Sequence, residues 1–323
     1  MPHLPTQLAV LLCAAVRLTA ASIDPACDAA NRQAIVLLAA NRASEAQEKL
    51  FQFVAQLGSS SDDNLCRGIA LNNLTAAYQS LGKFDLAEQA VSQSVNLLEN
   101  EFGPNSVTLR RPLQHLAGIA IGKGQFSKAS HLLSRAESLP GADLLDQALS
   151  QGLRAKLLAE SGHAEEAEAV YRESIAGFEQ AGHGATPRIA PELCNLAVLY
   201  LARGRVPDAI ALLQRVLKIA EVTPLDADTY VKTLADLAVV ESRHNDPKQA
   251  ELYFERALAG IDSLPAGLRP NVGRHIYLNY ATFLRSTGRK REAKTINEEA
   301  LSRFGPEPVA AAVDVAALQT ERR

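Results

Sequence analysis

The sequence predicts an all-α solenoid of about seven antiparallel helical hairpins, and three observations lead to this prediction. First, a short pattern recurs around seven alanines that are 41, 42, 38, 42, 41 and 43 residues apart. Second, the residue five positions before each alanine is Gly or Asn, which readily adopt the left-handed backbone conformation at a helix end. Third, the residue twelve positions before each alanine is small, as a close contact between two helices requires.

Positions in a repeat are counted from its anchor alanine. The anchors are Ala46, Ala87, Ala129, Ala167, Ala209, Ala250 and Ala293. The turn residues at position −5 are Asn41, Gly82, Gly124, Gly162, Gly204, Asn245 and Gly288. The small residues at position −12 are Ala34, Thr75, Ala117, Ala155, Ala197, Ala238 and Ala281. Each repeat therefore reads as two helices joined by a sharp turn.

The columns also give the extent of each hairpin. The predicted hairpins lie near residues 27–57, 66–102, 109–138, 146–181, 190–222, 229–263 and 272–304. The segments between them, such as Gly103–Ser106 and Thr223–Asp228, are rich in Pro, Gly and Asp and are typical of ordinary loops. None is a long linker, so the sequence predicts one continuous solenoid over residues 27–304 and no second domain.

Residues 1–21 have the features of a signal peptide. The apolar run Leu8–Val16 has the length of a signal-peptide core and is too short to span a bilayer, and small residues follow up to Ala21. Met1–Gln7 contains no Lys or Arg, and Arg17 lies directly behind the run, so an N-terminal cap or a misassigned start is the alternative. We expect export to the periplasm or the medium, with a cytoplasmic location as the alternative.

Residues 305–323 form the C-terminal tail. Its segment Val309–Leu318 is almost entirely apolar and follows Pro306 and Pro308. A short helix that caps the last repeat is expected, because the end of a solenoid would otherwise expose apolar surface. A disordered tail is the alternative.

Composition and motifs argue against several classes of function. The net charge of −3 gives no basic surface of the kind that binds nucleic acid. The seven histidines form no His-Glu-x-x-His pair, and the Gly122–Gly124 segment lacks the spacing of a phosphate-binding loop. No later apolar segment is long enough to span a membrane. We therefore predict a non-catalytic protein without a cofactor, a metal site or a membrane span.

The repeat columns resemble those of a known family. The residues that carry the resemblance in the second repeat are Leu74, Thr75, Tyr78, Gly82 and Ala87. They resemble the tetratricopeptide repeat (TPR), and the period of about 42 residues resembles its longer, kinesin-light-chain-like form. The resemblance covers about residues 27–304. It implies a right-handed superhelix whose concave groove is lined by the first helix of each hairpin.

The resemblance also implies which residues face the groove. At position −14 the chain has Arg32, Asn73, His115, Leu153, Asn195, Asp236 and Asn279. Six of these seven are polar, and an Asn amide can both donate to and accept from a peptide backbone. At position −18, Arg111, Lys232 and His275 would add positive charge and favour an acidic or carboxylate-bearing ligand. We predict that these nine polar residues bind an extended peptide, and a merely solvated face is the alternative.

Two cysteines lie near the start of adjacent first helices. Cys27 is at position −19 of the first repeat, and Cys66 is at position −21 of the second. If the chain is exported, a disulfide between them would close a loop of roughly 40 residues and stabilise the fold by roughly 3–4 kcal/mol. Two free thiols too far apart to bridge are the alternative. Cys194 lies in an apolar helical pattern and reads as a small buried residue.

Taken together, these features predict a scaffold that binds a protein or peptide in its concave groove. One alternative is a regulator that responds to a short peptide in the same groove. Another is an accessory subunit of an envelope or secretion assembly. The sequence identifies no particular partner and leaves self-association open.

Overall fold

The structure, a computed structural model, describes residues 24–40, 42–244 and 246–306. The described residues form fourteen α-helices and no strand, which confirms the predicted all-α fold. None of these helices is both long enough and apolar enough to cross a membrane. The predicted signal peptide, the turn residues Asn41 and Asn245, and residues 307–323 of the tail lie outside the described residues.

The helices pair into hairpins that group into two compact units, one up to Gly182 and one from His183. The repeat pattern predicts one continuous array, whereas the contacts between residues divide the chain at this point. The first unit contains α1 (Pro25–Ala39), α2 (Ala43–Gln56), α3 (Ser61–Ser80), α4 (Phe84–Phe102), α5 (Arg110–Gly122), α6 (Phe126–Ser138), α7 (Leu144–Glu160) and α8 (Ala164–Gln180). The odd-numbered helices are the first helices of the hairpins.

The second unit contains the remaining hairpins. Its helices are α9 (Ala190–Ala202), α10 (Val206–Val222), α11 (Ala227–His244), α12 (Pro247–Gly260), α13 (Arg269–Ser286) and α14 (Lys290–Phe304). Within each unit the two helices of a hairpin pack against each other, and first helices of successive hairpins also touch. Each unit is therefore a stack of hairpins, as the repeat period predicts.

The turn inside a hairpin has one geometry in five of the repeats. Gly82, Gly124, Gly162, Gly204 and Gly288 all have φ between +68° and +89°. The amide of the residue after each glycine donates to a carbonyl five residues earlier, for example Lys83 to Tyr78 at 2.8 Å. This bond ends the first helix with a Schellman motif, and the left-handed residue that the motif requires is most easily glycine. The predicted role of these five glycines is confirmed.

Both alanine-rich columns lie at the contact between the helices of a hairpin. All seven anchors and all seven residues at position −12 are at most 1 % exposed. Two serines tighten the same contact, since the Ser94 hydroxyl donates to the Gly68 carbonyl at 2.7 Å and the Ser174 hydroxyl donates to the Ala148 carbonyl at 2.8 Å. Both bonds run from position +7 to position −19. Small side chains are therefore required here because the helix backbones approach each other closely.

Neighbouring first helices are joined at a second fixed register. The structure pairs Cys27 of α1 with Cys66 of α3 in a disulfide, with 5.7 Å between the Cα atoms. Arg110 of α5 and Asp146 of α7 occupy the same two positions, −19 and −21, and form an ion pair at 3.2 Å in which both side chains are buried. The Arg110 guanidinium also donates to the carbonyl of Leu139 at 2.7 Å. A covalent bond and an ion pair thus join first helices at equivalent positions.

The turn geometry gives a matched pair of substitutions two residues apart. Gly124→Ala places a Cβ at φ +68° and should lower the free energy of unfolding by about 1–2 kcal/mol. Gly122→Ala lies at the end of α5 with no atom near its new Cβ, and should leave stability unchanged or raise it by up to about 1 kcal/mol. Urea unfolding followed by circular dichroism measures both. Equal effects of the two substitutions would contradict the assigned turn.

The disulfide gives a second prediction, because the first hairpin buries few large apolar side chains besides Leu37 and Leu50. Replacing Cys27 and Cys66 together with serine should lower the melting temperature and remove its sensitivity to a reductant. The expected loss of stability is roughly 3–4 kcal/mol. Cys194→Ser is the control, and it should leave the sensitivity to the reductant intact. Alkylation of both Cys27 and Cys66 in the unreduced protein, detected by mass spectrometry, would contradict the disulfide.

Candidate functional site

The predicted binding residues all lie on first helices, which contact one another within each unit. They fall into two sets because the chain divides at Gly182. Arg32, Asn73, Arg111 and His115 belong to the first unit, and the other five belong to the second. The two sets have different surroundings, so each is described separately.

In the first unit, three of the four predicted residues are engaged by other side chains of the chain. Arg32 is exposed and forms an ion pair with Asp28, one turn earlier in α1. The Asn73 amide donates to Asn31 Oδ1 on the neighbouring first helix at 2.8 Å. Arg111 pairs with Asp146 at 2.6 Å. The bonds of Asn73 and Arg111 hold successive hairpins together, and a ligand would have to compete for all three groups.

His115 differs from these three, since its Nδ1 atom is buried and has no hydrogen-bond partner in the described residues. Burial, together with the nearby charge of Arg111, lowers the pKa of His115 to about 4. The ring is therefore neutral at neutral pH. Asn72 Oδ1 is also buried without a partner. Asn72 and His115 stand at positions −15 and −14 of successive repeats, the register at which Asn31 and Asn73 form their hydrogen bond.

The second unit places Asn195, Asp236 and Asn279 at position −14 of three successive first helices, α9, α11 and α13. All three are partly exposed. In the part of the chain that the structure describes, no protein group forms a hydrogen bond or an ion pair with these three side chains. Three hydrogen-bonding side chains are thus free in one register, on helices that touch in sequence.

The predicted residues at position −18 of this unit provide little free positive charge. Lys232 is exposed and binds Asp228 on its own helix at 2.7 Å. His275 is exposed on α13. Because Lys232 already has a carboxylate partner, and Arg111 of the first unit has one as well, the positive charge expected to favour an acidic ligand is largely neutralised within the chain.

Asp236 has an unusual environment. Burial raises the pKa of its carboxyl to about 7, although the charge of Lys232 one turn away acts in the opposite direction. Burial is the main cause that raises the pKa of the Cys194 thiol of α9 to about 12, and the negative charge of Asp236 raises it further. Cys194 lies 3.5 Å from the Thr233 hydroxyl. The thiol is therefore protonated and unreactive, whereas the Asp236 carboxyl titrates near neutral pH.

The structure also identifies polar residues that the sequence pattern missed. The Gln114 amide of α5 donates to the Ser150 hydroxyl of α7 at 2.9 Å, and both side chains are buried. With Asn31 and Asn72, Gln114 occupies position −15 of the first three repeats. A polar residue at the same position of three consecutive repeats was a readable signal, but only positions −14 and −18 were expected to face a groove.

A cavity of about 680 Å³ lies between α6, α7 and α8 of the first unit. Its wall is mostly apolar and includes Phe126, Leu157 and Val170. Ser161 Oγ lies 3.1 Å from His163 Nδ1 at one edge, but the hydroxyl also donates to the Leu157 carbonyl at 2.8 Å, as at an ordinary helix end. Within the described ranges, no three His, Cys, Asp or Glu side chains form a group that could hold a metal ion.

Several solved structures are similar to this fold. BtubC (BKLC) from P. vanneervenii has 19 % identity and a TM-score of 0.54, over 72 % of this chain and 95 % of that chain. A Rap protein complexed with Competence and Sporulation Factor has 12 % identity and a TM-score of 0.62, over 85 % of this chain and 74 % of that chain. NprR in complex with its cognate peptide NprX has 15 % identity and a TM-score of 0.59, over 85 % and 77 %.

At these levels of identity the structural likeness establishes the fold alone. No curated protein matches the sequence. The model of one protein family, described as the MalT-like TPR region, matches residues 29–315 and so covers most of the chain. The match begins within α1 and covers all the other helices described above. The chain therefore belongs to the family of MalT-like TPR regions.

Proposed function

We propose that this protein is a non-catalytic scaffold that binds an extended peptide segment of a partner, mainly along the first helices of the second unit. The observation that carries this proposal is the free register of Asn195, Asp236 and Asn279. Polar groups that are partly removed from water without a protein partner favour a ligand that can supply one. At position −14 of the first unit, by contrast, Arg32 binds Asp28 and Asn73 binds Asn31.

The spacing of the three residues suits an extended chain. Packed helix axes are about 8–10 Å apart, and an extended peptide advances about 3.3 Å per residue. Groups at one register of neighbouring helices would therefore meet every third residue of the peptide. The amides of Asn195 and Asn279 can bind both the N–H and the carbonyl of a peptide unit. These hydrogen bonds are made to the peptide backbone, so peptides of different sequence could bind.

Charge suggests which peptides would bind best. Arg111 and Lys232 have carboxylate partners within the chain, whereas Asp236 has no ion-pair partner among the described residues. We therefore expect a ligand that brings a Lys or Arg side chain, or a free amino terminus, to Asp236. We therefore propose a basic ligand in place of the acidic ligand that the number of cationic residues alone would favour.

Two proteins of similar fold support the proposal that a peptide is the ligand. NprR was solved with its cognate peptide, and the Rap protein was solved with Competence and Sporulation Factor, so related folds bind such ligands. The same likeness favours a second candidate, a regulator whose hairpins shift when a short peptide binds. We further propose export, on the basis of residues 1–21, which would place the partner outside the cytoplasm. Sequencing the amino terminus of the natural product tests that part directly.

Binding by the free register predicts different effects for two sets of substitutions. Asn195→Ala with Asn279→Ala should weaken the binding of basic extended peptides by roughly 5- to 150-fold, because two net hydrogen bonds contribute roughly 1–3 kcal/mol. Asn73→Ala is the matched control. It should lower stability through the lost bond to Asn31, with little effect on affinity. A decapeptide library selected against the wild type supplies the probes, and fluorescence anisotropy measures their affinities. Unchanged affinity of the double variant would reject this site.

The carboxyl of Asp236 predicts a dependence of stability on pH. Its pKa of about 7 lies above the value near 4 expected in the unfolded chain, so the folded state holds this proton more tightly. The stabilisation is present below pH ~4 and is lost as the pH rises to ~7. Asp236→Asn should therefore raise the free energy of unfolding at pH 8, by on the order of 1–2 kcal/mol, and have little effect at pH 4.

Urea unfolding at pH 4, 6 and 8 measures this effect in the ligand-free protein. The control is Asp85→Asn, because the Asp85 side chain is 92 % exposed and its replacement should change little at any of these pH values. Equal effects of Asp236→Asn at pH 4 and pH 8 would show that the carboxyl is not desolvated as described.

A further inference from the structure

A polar bridge joins successive hairpins near their turns at three places in the chain. In each case a long side chain at position −4 or −6 of one repeat reaches position +1 of the repeat before it. Lys83 donates to Gln47 at 2.8 Å, Lys123 pairs with Glu88, and Arg289 pairs with Glu251 at 2.5 Å. Each bridge crosses the gap between two successive second helices, so the aliphatic part of the Lys or Arg side chain helps to fill that gap.

The junction between the third and fourth hairpins has short side chains at these positions. Ser130 stands at position +1 of α6, and Ser161 and His163 stand at positions −6 and −4 of the next repeat. The His163 ring contacts Ser161 of its own hairpin, and the Ser130 hydroxyl has no hydrogen-bond partner in the part of the chain that the structure describes. All three residues line the cavity of about 680 Å³ between α6, α7 and α8. The cavity therefore lies where the other junctions have their bridge.

A second departure from the repeat pattern occurs at the same junction. One junction earlier, Val95 at position +8 and Leu116 at position −13 are buried in one apolar cluster. Here the same two positions hold Glu137 and Arg154, which form a partly exposed ion pair at 2.6 Å. Arg154 lines the cavity, but both ends of its guanidinium donate to the Glu137 carboxylate of α6. The leucine that packs at this position in the preceding repeat is thus missing, and the charge of Arg154 is matched within the chain.

The wall of the cavity combines apolar surface with one unpaired carboxylate. Phe126, Leu158 and Val170 line it and are partly exposed. Glu166, in the first turn of α8, is exposed and has no hydrogen-bond or ion-pair partner among the described residues. Because Arg154 is already paired, Glu166 gives the cavity an unbalanced negative charge. A cation on an apolar stem fits such a surface, and the side chains of Lys and Arg have this form.

We propose that this cavity is a second protein-binding site, into which a partner inserts a Lys or Arg side chain together with a neighbouring apolar side chain. The partner would supply the bridge that the chain itself forms at the other three junctions. Its cation would lie at Glu166 and the Ser130 hydroxyl, and its apolar atoms would cover Leu158 and Val170. The volume is within the roughly 300–1,000 Å³ of typical ligand sites. The site uses residues of the first unit alone, whereas the peptide proposed above binds the second unit.

Two capped dipeptides test this proposal on the full chain. Acetylated and amidated Leu-Lys carries both groups that the site should accept, and Leu-Glu with the same caps reverses the charge. Titration of Leu-Lys should shift the NMR signals of the Leu158 and Val170 methyl groups in a saturable manner, whereas Leu-Glu should not. Equal shifts with the two dipeptides would overturn the proposal, as would the absence of a saturable shift with Leu-Lys.

Rebuilding the missing bridge should close the site. Ser130→Glu together with Ser161→Lys places at this junction the same residue types, at the same positions, as Glu88 and Lys123 one junction earlier. The double variant should no longer bind Leu-Lys, and its melting temperature should be equal to that of the wild type or higher. A folded double variant that binds Leu-Lys as the wild type does would reject the site.

The role of the free carboxylate is tested separately. Glu166→Gln should weaken the binding of Leu-Lys by roughly two- to fivefold, as the loss of an exposed ion pair would. Glu173→Gln is the matched control, since Glu173 is exposed on the same helix and lies outside the cavity. It should leave the affinity unchanged. Equal effects of the two substitutions would contradict the position assigned to the cation.

Discussion

The close approach of two helix backbones within each hairpin is the constraint on which the other features of this fold depend. At the anchor and at position −12 there is room for Ala or Thr and for nothing larger, and these side chains are almost completely buried. This contact fixes the crossing of the two helices. The crossing in turn requires a short turn, which a glycine with positive φ supplies. Residues near the start of the first helices, at positions −19 and −21, can then join one hairpin to the next.

The sequence was sufficient to predict the repeat period, the turns and the buried columns, because each depends on local sterics that recur with a fixed spacing. Whether a residue at position −14 has a partner within the chain could not be predicted in the same way. Asn73 and Asn195 occupy the same position and look alike in the sequence, yet only Asn73 meets an amide on the neighbouring helix. The difference arises because Asn31 stands at position −15 of the preceding repeat. Whether a polar residue has a hydrogen-bond partner therefore depends on the residue in the neighbouring repeat. The residue types at one repeat position do not show this.

The two compact units described above leave no mark in the repeat pattern, for a related reason. Every repeat keeps its anchor and turn on both sides of this point, so the repeat pattern continues unchanged. What changes is the network between first helices. In the first unit, Asn31, Asn73, Arg110, Gln114 and Asp146 hold neighbouring hairpins together through polar contacts. In the second unit, Cys194 of α9 also contacts Thr233 of α11, whereas Asp236 and Asn279 have no hydrogen-bond partner among the described residues. Polar contacts therefore join first helices in both units, and the two units differ at position −14.

The register that joins positions −19 and −21 has a consequence for how the protein responds to its surroundings. Near the amino terminus of the first unit this register holds a disulfide, and two hairpins later it holds a buried ion pair. A thiol reductant can open a disulfide, whereas an ion pair contains no covalent bond that a thiol could break. The same two positions, −19 and −21, thus hold a disulfide near one end of the first unit and an ion pair near the other end. Because the two bonds differ in kind, one can break while the other stays intact. A reductant would therefore loosen the amino-terminal end of the stack and leave the ion pair in place.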